Sequence, residues 1–275
     1  MYLDSHQHFW TLSRGDYSWM TPNYSAIYKN FTPDNLIPLI AEKNVTETII
    51  VQAADTVAET EFILDIANHN SFVKGVVGWV DFEDPNVKLE IDRLSQNRVL
   101  KGFRPMIHDI EDEGWMLKDT LSEPLNYLSA KGLSFDALVR PNHLKNLILF
   151  VRKYAELPIV IDHIAKPKMV GGDIQEWIKD MKELSLCENV WCKFSGIVTE
   201  IGKDYDKSQI IPYVEPIFEM FEAERIMWGS DWPVLTMAET YGNWFDLAQD
   251  LCSGMSDSEK IQIFSKTARN FYRVG

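Results

Sequence analysis

The chain has 275 residues, 45% of them hydrophobic and 25% charged, with a formal net charge of −14. This length suits one large α/β domain or two small ones with a sizeable core, and the acidic balance without any basic run excludes the footprint of a nucleic-acid or anionic-membrane binder. Three cysteines with no CxxC argue against a disulfide framework; with no secretory leader and no apolar stretch near the roughly 20 residues that span a bilayer, a soluble cytoplasmic protein is expected.

In chain order, the first β-type run is Tyr2–His6, and it passes into "DSHQHFW" at 4–10. Phe9–Phe31 follows as a long non-periodic loop carrying Trp10, Tyr17, Trp19, Tyr24 and Tyr28. Such a loop suits a lid, plain packing across a barrel mouth, or a contact face of a homo-oligomer. Thr32-Pro33-Asp34 reads as a helix N-cap with proline at the first position and an acidic first turn, leading to Leu36, Leu39 and Ile40. Then strand and helix patterns alternate. Glu47–Ala53 precedes a helix over Asp55–Asn68, Val73–Val80 precedes one over Asn86–Asn97, and Val99–Arg104 and Ser134–Val139 precede the stripe Leu144, Leu147, Ile148 and Val151. Pro158–His163 leads to Ile174, Trp177, Ile178 and Met181, and Val190–Ser195 to Ile211, Val214, Ile217, Phe218 and Phe221. Arg225–Asp231 and a final helix over Asp257–Tyr272 complete the chain.

Several of the strands are near-continuous apolar runs, as in strands covered on both faces. Eight strands alternating with helices predict an α/β fold, a (β/α)8 TIM barrel spanning 1–275 as a single domain. A doubly wound sheet is disfavoured, because the chain has neither GxGxxG nor GxxxxGK[ST].

Active sites of this barrel lie at the C-terminal ends of the strands. His6 and His8 stand two residues apart there, so their side chains share one side. His163 ends the sixth strand and Asp231 the eighth, and first and last strands are neighbours in a closed barrel. Taken singly, His163 reads as a buried histidine satisfied by backbone and Asp231 as a helix cap; together with the histidine pair they read as a site. Arg104 after a Gly-Phe step is a fork for a carbonyl or carboxylate, or a surface ion pair. His108 lies in the following loop. Lys193 sits inside an apolar strand, where it needs a partner or the barrel mouth. Arg140 ends the fifth strand without a clear role.

The segments "DSHQHFW", "GFR" at 102–104, "DHIAKP" at 162–167, "KFSG" at 193–196 and "WGSDWP" at 228–233 resemble the amidohydrolase-related family, within it the sugar-lactone hydrolases of L-fuconolactonase and L-rhamnono-lactonase type. The resemblance implies a TIM barrel with His6, His8, His163 and Asp231 at its centre, holding one divalent ion, often zinc, or none. No lysine ends the fourth strand and no histidine the fifth, which argues against a two-metal centre. On this reading the substrate is a small sugar lactone, opened to the aldonic acid. Asp231 is the general base on water, and His6, His8 and His163 polarise the carbonyl, with or without the ion. Arg104, His108, Lys193, Trp10 and Trp232 hold the substrate. Two alternatives stand beside it: a metal-dependent decarboxylase of an aromatic or unsaturated acid, and a barrel that binds a sugar acid without turnover. A TatD-like nuclease, which also opens with a histidine pair, is disfavoured by the acidic surface.

Overall fold

The computed structural model describes residues 1–169 and 171–275. Eight strands, β1 (Tyr2–Gln7), β2 (Val45–Val51), β3 (Val73–Gly78), β4 (Leu100–Phe103), β5 (Ser134–Ala137), β6 (Ile159–Ile161), β7 (Val190–Phe194) and β8 (Ile226–Trp228), form one sheet in sequence order. Each pairs in parallel with the next. The sheet curls until β8 meets β1. There the backbone N–H of Asp231 donates to the His6 carbonyl at 2.8 Å and that of His8 to the Trp232 carbonyl at 2.7 Å, beside a parallel bridge between Gln7 and Trp232. This is the (β/α)8 barrel that the alternation predicts, with all eight strands where the apolar runs lie and only their ends shifted.

Helices α1 (Pro33–Glu42), α2 (Val57–His69), α3 (Val87–Leu94), α4 (Ser122–Ala130), α5 (Leu144–Lys153), α6 (Ile174–Ser185), α7 (Ile197–Ile201), α8 (Lys207–Phe221), α9 (Tyr241–Leu251), α10 (Asp257–Ile261) and α11 (Thr267–Tyr272) accompany the strands. Thr32 precedes α1, with its N–H on the Asn35 side chain at 2.9 Å and Pro33 as first helical residue. The final helix is not continuous: a π-helical turn over Gln262–Lys266 separates α10 from α11. Helices α4, α7 and α9 have no counterpart in the sequence reading. None of the described helices is long and apolar enough to cross a membrane.

Leu3, Ile49, Val51, Val77, Val160 and Met227 pack with Ala268, Phe271, Tyr272 and Val274 in one buried cluster. Val274 lies against Gly75 near the start of β3, and Arg273 against Gly132 just before β5. The C-terminal segment therefore covers the end of the barrel where the strands begin.

Candidate active site

Local backbone geometry brings three strand ends together. At the end of β6 four consecutive residues, His163, Ile164, Ala165 and Lys166, have φ of 53°, 48°, 63° and 47°. L-residues seldom adopt this left-handed region, and here it turns the chain away from the ladder as His163 enters the barrel mouth. Asp231 beyond β8 also has positive φ, 58°. Two motif glycines make room: a Cβ on Gly196 would sit 2.6 Å from His163 Nδ1, and one on Gly229 would sit 2.8 Å from His6 Cβ.

The imidazoles and the carboxylate converge. His6 Nε2 and His8 Nε2 are 3.2 Å apart. Asp231 Oδ1 lies 3.2 Å from His8 Nε2, 3.7 Å from His6 Nε2 and 3.8 Å from His163 Nε2. His8 Nδ1 donates to the Val51 carbonyl at 2.7 Å, and His163 Nδ1 faces Ser195 Oγ at 2.8 Å. Both rings are thus oriented from behind, with Nε2 towards the centre. Burial, reinforced by the Lys193 ammonium, holds His6 well below the usual histidine range. Burial does the same to His163, so both rings are neutral near pH 7. Burial alone would raise the Asp231 carboxyl; the neighbouring His163 and the hydrogen bond with His8 outweigh it and bring it down to about 2.

Donor atoms of His6, His163 and Asp231 all lie within 4.8 Å of one another, with His8 Nε2 alongside. Imidazole nitrogens beside an ionised carboxylate, with the His8 and His163 rings braced at Nδ1, are a fitting donor set for one zinc-like ion. The position beyond β4 is held by Arg104, and β5 ends in Ala137, so the described residues offer no second set.

Beneath the centre lies a buried charged layer that the sequence reading missed. Lys193 Nζ sits 2.6 Å from Asp136, 3.0 Å from Asp162 and 3.0 Å from His6 Nδ1. Arg104 reaches Asp162 at 3.2 Å and His6 Nε2 at 3.3 Å, and its guanidinium is clasped by the Gln52 side chain. Tyr272 donates to Asp136 at 2.6 Å. Burial would raise Asp162, but Lys193, His6 and Arg104 together hold it well below the usual carboxylate range. Two cations thus face two carboxylates, which is how buried charge is tolerated.

A cavity of about 380 Å3 opens above the centre. His8, His163 and Asp231 form its floor with Arg104, and His108, Arg140 and Lys166 stand along its wall. Trp10, Trp19 and Tyr24 from the Phe9–Phe31 segment line the other side. His6 lies behind the floor, fully buried. Of the five residues expected to hold substrate, Trp10, Arg104 and His108 line the cavity. Lys193 and Trp232 do not: Lys193 is consumed by Asp136, Asp162 and His6, and Trp232 is packed edge-on against Phe9 and Phe31 at 5.9 and 5.2 Å. Gln52, Asp136, Asp162 and Ser195 were not singled out. The available signal was a carboxylate within two apolar runs, "SFDAL" and "PIVID", each able to partner a lysine in another such run, Lys193 in "VWCKF".

The chain is 38% identical to an L-fucono-1,5-lactonase of Burkholderia ambifaria, over 99% of this chain and 95% of that one. It is 29% identical to an L-fucono-1,5-lactonase of Burkholderia multivorans, over 99% and 96%. A crystal structure of an amidohydrolase from Burkholderia multivorans with bound zinc superposes with a TM-score of 0.94 at 29% identity, over the whole of both chains. The amidohydrolase family model matches residues 3–274. With that match across the barrel and its mouth, the chain belongs to the amidohydrolase family.

Proposed function

We propose that this protein hydrolyses a sugar lactone of the L-fucono-1,5-lactone type to the aldonic acid. The observation that carries the proposal is the convergence of Asp231 with His8 and His163 on the floor of one cavity, and with His6 directly behind it, in a chain similar along its length to two L-fucono-1,5-lactonases. We take 1–275 as one catalytic barrel domain working on a small molecule, in a reducing compartment such as the cytoplasm, since its three cysteines are free.

Asp231, ionised and at the cavity floor, takes a proton from water as the water oxygen attacks the lactone carbonyl. The His163 imidazole, whose Nε2 can donate while Nδ1 accepts from Ser195 Oγ, and the positive charge of Arg104 at the cavity floor favour the negative charge that develops on the carbonyl oxygen. As the ring C–O bond breaks, the proton on Asp231 passes to the departing alkoxide. The product ionises to the aldonate, so each turnover releases one proton to solvent. His6, His163 and Asp231, with His8 alongside, would hold a divalent ion, and bound there it would supply Lewis-acid polarisation of the carbonyl. His108, Arg140 and Lys166 offer donors to ring hydroxyls, and Trp10, Trp19 and Tyr24 offer flat faces to the ring.

The test is acid release, read with a pH indicator, from γ- and δ-aldonolactones with and without chelator. Deoxy-L-sugar lactones are expected to be hydrolysed fastest. Asp231→Asn should lower kcat by about 10²- to 10⁴-fold, the usual range for a lost general base; near-full activity in that variant removes Asp231 from the role. No acid release from any lactone, with zinc supplied, moves the reading to the decarboxylase alternative.

A further inference from the structure

A second cavity, about 480 Å3 in volume, opens on the same face of the barrel. It shares Trp19, Met106 and Asp109 with the catalytic cavity, so the two adjoin across one wall. Its volume falls within the range of small-molecule sites. Three indoles line it. Trp19 is fixed by its N–H on the Ala53 carbonyl at 2.7 Å, and Trp115 by its N–H on Glu83 at 2.9 Å. Trp79 is half-buried and its indole N–H has no partner among the described residues. Asp55 and Asp81 add acceptor oxygens at the rim, and no lysine, arginine or histidine lines this space.

We propose that this cavity is a glycosyl subsite, and that the protein accepts an aldonolactone carrying a further neutral pyranose ring. This rests on the lactonase reading. The lactone occupies the floor at Asp231, and the added ring lies against Trp19 and Trp79. A pyranose has an apolar C–H face that packs on an indole, and hydroxyls that donate to carboxylates and accept from a free indole N–H. The lack of any cation in the lining disfavours an added sugar acid, whose carboxylate would meet only Asp and Glu.

The test compares kcat/KM for the best-hydrolysed aldonolactone with that for its singly O-glucosylated forms, in wild type, Trp79→Ala and Asp55→Ala. At least one glucosylated form is expected to exceed the free lactone about tenfold, the effect of one good ring contact. Trp79→Ala should abolish that gain and leave the free lactone unchanged, and Asp55→Ala should reduce the gain. Asp55 is exposed, so the second variant keeps the test alive where Trp79→Ala does not fold. Equal turnover of free and glucosylated lactones, or equal loss of both in Trp79→Ala, overturns the subsite. If no lactone is hydrolysed at all, the lactonase reading fails separately. Saturation-transfer NMR with a set of methyl pyranosides then reads the cavity by itself: transfer lost in Trp79→Ala upholds a sugar site, and no transfer to wild type removes it.

Discussion

Lys193 shows how a single residue changes meaning between sequence and structure. In sequence it is a lysine inside an apolar strand, which needs a partner or the barrel mouth, and the family resemblance assigns it to substrate. In the fold it is completely buried, hydrogen-bonded to Asp136 and His6 and ion-paired with Asp162 at 3.0 Å. It does not line the cavity, so it is not placed to hold substrate. Its place in the molecule is to neutralise two carboxylates and to brace His6 from behind. Lys193→Met is therefore expected to cost about 3–5 kcal/mol, the usual result of leaving buried charge without a partner. Urea unfolding checks this. Adding Asp136→Asn to Lys193→Met should restore part of the loss; an unchanged midpoint in the single variant would contradict the pairing. The histidines and Asp231 were legible because strand ends can be counted along a sequence. Asp136 and Asp162 were not, because their meaning depends on which lysine the barrel brings to them.

At the scale of elements, the strands were legible and the helices less so. A strand covered on both faces leaves a near-continuous apolar run, and "ETIIVQA" or "PIVID" admits few other readings. Helix α4 is only nine residues long and carries Pro124 in its first turn, whereas α9 does bear a stripe, Tyr241, Trp244, Phe245 and Ala248, that the sequence reading passed over. The Phe9–Phe31 segment packs across the barrel mouth and also lines the cavity. Phe9, Trp10, Ile27 and Phe31 are buried as packing, while Trp10, Trp19 and Tyr24 face the cavity. What ties the segment down is Glu59 in the first turn of α2. Its carboxylate accepts the Tyr17 hydroxyl at 2.9 Å and the Ala53 N–H at 2.9 Å, with Arg14 at 3.5 Å. Burial raises this carboxyl to about 7, against the hydrogen bonds and Arg14, which lower it. A carboxyl whose folded value is raised binds protons more tightly when folded, so its contribution to stability is full below about 4.5 and is lost as pH rises through about 7. Melting temperatures across that window should therefore fall more steeply for wild type than for Glu59→Gln. Parallel curves for the two proteins would exclude Glu59 as the source.

At the scale of the whole molecule, the two ends of the barrel are joined through its interior. The C-terminal segment was legible as a helix, but its broken course and the surface it covers were not, since nothing in an amphipathic pattern says which opening it closes. In the fold, Phe271, Tyr272 and Val274 pack on the barrel interior. From there a chain of contacts rises: Tyr272 to Asp136 at 2.6 Å, Lys193 to Asp136 at 2.6 Å, Lys193 to His6 at 3.0 Å. The closing helix thus supports the layer on which the cavity floor rests. Two substitutions separate packing from this polar link. Tyr272→Phe keeps the ring and removes one donor from a buried carboxylate, which should cost about 1–3 kcal/mol. Tyr272→Ala also opens a cavity and should cost about 3–5 kcal/mol. Both should shift the urea midpoint with an unchanged slope. Because Lys193 still braces His6 when the hydroxyl is gone, Tyr272→Phe should retain far more lactone hydrolysis than Asp231→Asn. If Tyr272→Phe lost activity as completely as Asp231→Asn while unfolding at the wild-type midpoint, the tyrosine would belong to the chemistry and not to the support beneath it.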